Sequence, residues 1–278
     1  MWGWKNRIGA LKIKSYIVGL LIIFILNTWL PASALASAPE VNIDTGDTPK
    51  GIVAIAYKSD SPQKIKVMIQ KDSQKYTYDL KADGSQQSFP LQMGNGDYKV
   101  SVLQNIQGTK YKYLKTEKIS LALADESSVY LNSIQNIDSD SDSVANQTER
   151  ITRGLTDNED KVEAIYKYIV NNCSYDYNKK GTVQTGYIPD VEDTLSTQKG
   201  ICYDYASLFA AMTRSIGVPC KLVKGYADGV NGYHAWNEVS IDGKWVVVDT
   251  TSDMQLKAAH KPYNMEKPAA SYTKTSEF

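Results

Sequence analysis

The pattern that most constrains the fold lies between residues 200 and 250, where one helical segment precedes three strand-like segments. Apolar residues recur at helical spacing after Gly200, and Gly217 and Pro219 mark the expected end of this helix. The strand-like segments are 221–226, 233–241 and 244–250. Asp242-Gly243 between the last two is typical of a tight hairpin turn. A helix followed by an antiparallel sheet predicts an α+β fold here.

Three residues with complementary chemistry lie within this pattern. Cys202, His234 and Asp249 follow one another at intervals of 32 and 15 residues. Cys202 opens the helix, where the positive end of the helix dipole favours a thiolate. The predicted hairpin makes the strands that carry His234 and Asp249 neighbours. A thiol, an imidazole and a carboxylate in this arrangement indicate a nucleophile, its base and the acid that orients the base.

Four segments around these residues resemble the transglutaminase-like superfamily. They are Asp193-Thr194-Leu195, Gly200-Ile201-Cys202-Tyr203-Asp204-Tyr205-Ala206, His234-Ala235-Trp236-Asn237-Glu238-Val239 and Trp245-Val246-Val247-Val248-Asp249-Thr250-Thr251. The resemblance covers roughly Thr156 to Asp253. It implies a papain-like α+β core, with the nucleophile helix packed on an antiparallel sheet, and thioester chemistry on carboxamides or amides. The family includes cross-linking enzymes, proteases, amidases and members that have lost activity.

The resemblance and the chemistry assign roles to particular residues. Cys202 is expected to attack the carbonyl, His234 to carry the proton and Asp249 to orient His234. The N–H of Cys202 and the hydroxyl of Tyr175 are candidate donors to the oxyanion. Cross-linking members often carry a Trp near the nucleophile, whereas Ile201 precedes Cys202 here. A zinc site would need ligand pairs two to four residues apart, and none occur. We therefore predict neither a metal nor a cofactor.

The rest of the chain divides by composition. Residues 39–135 contain about seven short strand-like runs and no His or Cys, which predicts a small all-β, sandwich-like domain. Residues 136–147 are acidic and poor in apolar side chains, which predicts a linker. A calcium loop is the alternative, because alternating Asp residues can supply oxygen ligands, but the Gly and the Glu that such a loop needs are missing. The transglutaminase-like domain is expected over 148–256, and residues 257–278 form a polar tail.

The N-terminal 38 residues have the features of a secretory signal peptide. Lys5, Arg7, Lys12 and Lys14 precede an apolar run over 16–30, and small residues follow it. Cleavage is expected after Ala36 or Ala38, and an uncleaved membrane anchor is the alternative. Beyond residue 38 the chain has four more acidic than basic residues. We expect a secreted or cell-surface protein that does not bind nucleic acid and contacts a membrane only if the segment is uncleaved.

Cysteine usage leaves one alternative open. Cys173, Cys202 and Cys220 make an odd number, so at least one thiol is free. Cys173 and Cys220 either pair or act as small buried apolar residues.

These observations predict an exported transglutaminase-like thiol enzyme, either an acyltransferase or a cysteine peptidase or amidase. Its substrates would be protein or peptide carboxamide or amide groups, including those of cell-wall peptides. The acyltransferase passes the acyl group to a Lys amine, and the hydrolase passes it to water. A surface binding or assembly protein that has lost activity is the third hypothesis.

Overall fold

Seven strands lie between residues 41 and 121 of the described chain. The computed structural model describes residues 40–60 and 63–278. The strands are β1 (Val41–Asp44), β2 (Ile52–Lys58), β3 (Ile65–Lys71), β4 (Gln74–Leu80), β5 (Asp83–Pro90), β6 (Gly96–Gln107) and β7 (Lys110–Leu121). They build two antiparallel sheets, ordered β1-β2-β5 and β4-β3-β6-β7. Alternate apolar residues of both sheets meet in one buried core. The predicted sandwich-like domain is confirmed.

Two details of this sandwich differ from the sequence-based expectation. Strand β7 is one long strand, although its sequence contains two short strand-like runs, 110–114 and 117–123, and it pairs with β6 through two register irregularities. Strand β5 begins with Asp83-Gly84-Ser85-Gln86 and lacks apolar alternation there. It forms because β2 supplies its hydrogen-bonding partner, and such pairing is invisible to a local pattern.

The acidic segment 136–147 is part of the folded core and does not behave as the predicted linker. Helix α1 (Asp142–Thr152) begins within it, and the Ser141 hydroxyl accepts a hydrogen bond from the Val144 N–H at 3.4 Å. Ile137 and Val144 are fully buried. Two apolar side chains among the Asp and Ser residues are enough to anchor the segment.

The remaining chain forms an α+β core. Its elements are α2 (Asn158–Asn172), β8 (Ser174–Tyr175), α3 (Tyr177–Thr182), α4 (Val191–Thr197), β9 (Lys199–Gly200), α5 (Cys202–Ser215), β10 (Cys220–Ala227), β11 (His234–Ile241), β12 (Lys244–Val248), α6 (Thr250–Ala258), β13 (Glu266–Lys267) and β14 (Tyr272–Glu277). The main sheet is antiparallel, in the order β13-β12-β11-β10-β14. Helix α5 packs on it through Leu208, Phe209 and Met212, which are fully buried. The predicted α+β class is confirmed.

The predicted hairpin is present between β11 and β12. Ile241 pairs with Lys244, and Asp242 and Gly243 both have positive φ angles, of 49° and 76°. Two consecutive left-handed residues form the turn whose twist matches the strands that it joins. This hairpin sets β11 and β12 side by side.

Residues 257–278, expected to be a polar tail, contribute two strands to the main sheet. β14 pairs antiparallel with β10 at the sheet edge, and β13 pairs with β12 at the other edge. Phe278 packs against Tyr76 and Tyr78 of the sandwich, with ring centroids 5.8 Å apart in each case. An edge strand can be largely polar because much of its surface faces water, so composition alone did not reveal these strands.

The predicted signal peptide lies outside the described residues. Over 40–60 and 63–278, no helix combines the length and the apolar composition that crossing a membrane requires.

Candidate active site

Cys202 is the first residue of α5 and is partly exposed. The Asp204 carboxylate accepts a hydrogen bond from the Ile201 N–H at 2.8 Å and so fixes the start of this helix. A Cβ on Gly200 would lie 2.7 Å from the Cβ of Asp204, so only glycine fits this approach. The N–H of Cys202 is among the helix-start donors that have no partner within the helix.

His234 and Asp249 form a buried hydrogen bond, in which Nε2 of His234 lies 2.8 Å from Oδ2 of Asp249. His234 is 5% exposed and Asp249 is 1% exposed. The other carboxylate oxygen of Asp249 accepts the Ser252 N–H at 2.9 Å and caps α6. Cys202 lies close enough to His234 to raise the pKa of the imidazole. Because Nε2 faces Asp249, Nδ1 is the ring nitrogen left for the thiol.

The pKa of His234 reflects competing effects. Burial is the largest single effect and lowers it, but hydrogen bonds and charge interactions with Asp249 and Cys202 together raise the pKa to about 10. The imidazole therefore carries a proton at neutral pH. A protonated imidazole between a sulfur and a carboxylate is the arrangement that a thiol nucleophile requires.

Two residues outside the predicted site hold it together. The Tyr272 hydroxyl donates a hydrogen bond to Asp249 Oδ2 at 3.1 Å. Asn237 Nδ2 donates to the Ala206 carbonyl at 2.8 Å, which ties the histidine strand to the nucleophile helix. Asn237 follows His234 by three residues within the segment quoted for the family resemblance. Tyr272 carries no local signal, since it reaches the site through the pairing of β14 with β10.

Cys202 and His234 face a cleft of about 590 Å³ that Tyr175 also lines. Strand β8, which carries Tyr175, pairs parallel with β9 just before the nucleophile helix. Burial, and to a lesser extent the nearby Cys202, raises the pKa of Tyr175 to about 12. The phenol therefore keeps its proton at neutral pH, as a hydrogen-bond donor must.

Residues 177–190, here named the strap, form one wall of the cleft through Lys180 and Val183. The fully buried Asp204 anchors the strap to α5. It accepts hydrogen bonds from the Tyr187 hydroxyl at 2.6 Å and from the Lys179 ammonium at 2.9 Å. The Lys179 ammonium also lies 4.7 Å from the centre of the Tyr187 ring. The strap is thus attached to the nucleophile helix.

The other two cysteines are not paired with each other in the structure. Cys173 is half-buried and Cys220 is buried. Burial raises the pKa of both thiols to about 12. Thiols that keep their protons at neutral pH react slowly, so these two differ in setting from the partly exposed Cys202.

Over the described ranges, no group of three or more His, Cys, Asp or Glu side chains is placed to hold a metal ion. Trp236 is buried behind the site and stacks on His234, with ring centroids 6.3 Å apart. Trp245 lies elsewhere, with its ring 4.4 Å from the Lys221 ammonium. Neither Trp lines the cleft.

Comparison with known proteins shows which family this part of the chain resembles. Residues 145–250 match the model of the transglutaminase-like superfamily. Kyphoscoliosis peptidases of Mus musculus and Homo sapiens are each 36% identical over 104 residues, which is 33% of this chain. The chain spans 15% of the length of these relatives.

Among solved structures, a candidate cysteine protease from Cytophaga hutchinsonii superposes with a TM-score of 0.45 at 18% identity. The superposition covers 80% of this chain and 73% of that protein. The segment 145–250, which contains Cys202, His234 and Asp249, matches the family by sequence. Residues 145–250 therefore form a domain of the transglutaminase-like superfamily.

Proposed function

We propose that this protein is a cysteine-dependent enzyme that acts on amide or carboxamide groups of proteins or peptides, with Cys202 as nucleophile. The observation that carries the proposal is that Cys202 and His234 line the same open cleft, where His234 is hydrogen-bonded to Asp249 and interacts with Cys202. Such a series can activate a thiol and return a proton to a leaving group. Burial raises the pKa of the other two thiols, Cys173 and Cys220, which makes them poorer candidates for the nucleophile than Cys202.

The reaction proceeds in two halves. The sulfur of Cys202 attacks the carbonyl carbon, and the oxyanion accepts hydrogen bonds from the Cys202 N–H and the Tyr175 hydroxyl. The C–N bond breaks, the leaving amine or ammonia takes a proton from His234, and a thioester remains. An acceptor then attacks the thioester while His234 removes its proton. The C–S bond breaks and the thiol is restored.

Water is the acceptor that the cleft favours. Its lining includes the polar side chains of Asn231, Thr251, Ser252 and Gln255, and no Trp among the described residues. A hydrated surface of this kind admits water to the thioester. The mouse and human relatives are named peptidases, which also favours water as the acceptor. We therefore place a peptidase or amidase first.

Transfer to a Lys amine is the second candidate. Val183, Val230 and Leu256 give the same cleft some apolar surface, against which a lysine stem can pack. The two candidates share every step up to the thioester and differ only in the group that resolves it.

We further propose that the enzyme acts outside the cytoplasm, at the cell surface or after secretion. The support is the N-terminal sequence, in which a basic start precedes an apolar run and small residues. Sequencing the N-terminus of the protein recovered from the medium or the membrane fraction tests this. A new N-terminus after Ala36 or Ala38 is expected, and an intact residue 1 in a membrane-bound product would indicate an anchor.

The enzymatic proposal is tested with purified wild-type protein, Cys202→Ala and the matched control Cys173→Ala. Each is incubated with casein and a labelled primary amine, and products are analysed by mass spectrometry. New fragments or deamidation without bound amine, present in wild type and Cys173→Ala alone, would identify a hydrolase. Amine incorporation in the same two proteins would identify a transferase. Equal products from wild type and Cys202→Ala would refute the role of Cys202.

A further inference from the structure

The cleft beside Cys202 carries positive charge and no carboxylate on its walls. Lys180 and Lys261 line it, and none of its described lining residues is Asp or Glu. Asp249 lies behind His234, where His234, Tyr272 and the start of α6 occupy its oxygens. Asp228 is exposed beside the cleft residue Gly229 but does not form part of the wall.

The charge of the cleft is opposite in sign to the net charge of the chain beyond residue 38. Beyond residue 38 the chain carries four more acidic than basic residues. Over the described ranges, neither Lys180 nor Lys261 forms an ion pair with a protein carboxylate. A concave surface of one sign concentrates the electrostatic field, and so attracts ligands of the opposite sign more strongly than a convex one does.

Both lysines belong to elements that are attached to the catalytic residues. Lys180 lies on α3, whose N-terminus is capped by Asp176. The neighbouring Lys179 is bonded to the buried Asp204, two residues after Cys202. Lys261 follows α6, which begins at the cap formed by Asp249, and its N–H donates to the Leu256 carbonyl at 2.9 Å. The two backbones therefore hold fixed positions relative to Cys202.

We propose that the substrate of this cleft is an acidic peptide, whose carboxylates flank the acylated amide and pair with Lys180 and Lys261. This inference rests on the proposed function for its chemistry and adds the class of substrate. Each lysine is a point charge on a flexible stem, so it can meet carboxylates at more than one position. The preference is thus for acidic sequence around the amide and not for a single residue.

The charge of the cleft is measurable without any substrate. Cys202 is alkylated with anionic iodoacetate or neutral iodoacetamide, and the modified peptide is followed by mass spectrometry. At low salt, we expect the rate constant for iodoacetate divided by that for iodoacetamide to be about three- to tenfold lower in the double variant K180Q/K261Q than in wild type. In 0.5 M salt, this ratio should differ by less than about twofold between wild type and K180Q/K261Q, because salt screens the charges. The control K110Q/K112Q makes the same charge change on the exposed β6–β7 hairpin and should keep the wild-type ratio.

The substrate preference is measured on two forms of casein. Succinylated casein and acetylated casein both lack free lysines, but only the first gains carboxylates. Wild type should hydrolyse the succinylated form with the higher kcat/KM, and K180Q/K261Q should lose most of that preference. Equal kcat/KM values for the two caseins in wild type would overturn the preference for acidic peptides without contradicting the proposed hydrolase activity.

The alkylation experiment separates the two proposals. A ratio that K180Q/K261Q leaves unchanged, or that K110Q/K112Q lowers equally, would overturn the inference of a cationic cleft. A ratio that falls only in K180Q/K261Q, with neither casein turned over, would support an anionic ligand and count against the proposed hydrolysis. Circular dichroism of both variants confirms that each is folded.

Discussion

The charge on His234 depends on two neighbours that oppose the effect of burial. Burial lowers its pKa, while Asp249 and Cys202 raise it to a net value of about 10. Replacing Cys202 by Ala removes one of the raising contributions, so the titration midpoint of His234 should move to lower pH. Asp249→Asn removes the other and should also lower it.

This prediction can be read directly by proton NMR, because the chain contains two histidines. The second, His260, is exposed and lies two residues after the end of α6. His260→Ala assigns the remaining imidazole signal to His234. Below its pKa the ring is protonated, so wild type should retain the imidazolium signal at pH 8, and the Cys202→Ala variant should lose it at a lower pH than wild type. An identical midpoint in both proteins would contradict the contact between the thiol and the imidazole.

Tyr272 is the residue that we expect to position Asp249. Tyr272→Phe removes one hydrogen bond to the carboxylate and leaves the ring in place. A hydrogen bond contributes about 0.5–1.5 kcal/mol net, so kcat for casein should fall about two- to tenfold, with KM within about twofold of the wild-type value. Tyr113→Phe alters an exposed tyrosine of the sandwich and should leave kcat unchanged. A change in KM alone would indicate that Tyr272 binds substrate.

At the scale of elements, the strap is held by one buried carboxylate. Asp204→Asn removes the charge that pairs with Lys179 and weakens the bonds from Tyr187 and Ile201. Because this leaves a partly buried ammonium without its partner, unfolding free energy should fall by about 2–4 kcal/mol. Urea denaturation measures this value.

The same variant should release the strap locally. Limited proteolysis is expected to cut Asp204→Asn within 177–190 faster than it cuts wild type, since the strap loses its attachment to α5. Asp72→Asn, a substitution at a side chain that is 83% exposed, is the matched control and should behave as wild type. Equal cleavage rates for Asp204→Asn and wild type would show that other contacts hold the strap.

At the scale of the whole molecule, β14 joins the sandwich to the α+β core. The described residues, 40–60 and 63–278, belong to one compact unit. Phe278 packs on Tyr76 and Tyr78 of the sandwich, and its carbonyl accepts a hydrogen bond from the buried Arg214 of α5 at 2.9 Å. Gln92, just after β5, donates to the Glu277 carbonyl at 3.2 Å. The two parts should therefore unfold together.

Phe278→Ala tests this connection. Loss of a half-buried aromatic ring should lower the free energy of unfolding by about 2 kcal/mol. In wild type, far- and near-ultraviolet circular dichroism should show unfolding transitions at the same urea concentration. Ile106→Ala removes an exposed apolar side chain of the sandwich and should change stability by less than about 0.5 kcal/mol. Two separate transitions in wild type would contradict the joint unfolding.

The sequence alone was sufficient for the features that local physics determines. Apolar periodicity and turn chemistry predict the nucleophile helix and the Asp242-Gly243 hairpin, and both are present. The order of the thiol, imidazole and carboxylate is read directly from the sequence. The roles of Cys202, His234, Asp249 and Tyr175 in catalysis, and the cleavage of the signal peptide, remain predictions.

Tertiary structure decided which distant residues support the site. The Tyr272 hydroxyl reaches Asp249 only because β14 pairs with β10. Lys179 and Tyr187 reach Asp204 only because the strap folds back on α5. The segments predicted as a linker and a polar tail joined the core because partner strands and a few buried side chains stabilise them. Such pairings depend on groups far apart in the chain, and a periodicity read over neighbouring residues contains no information about them.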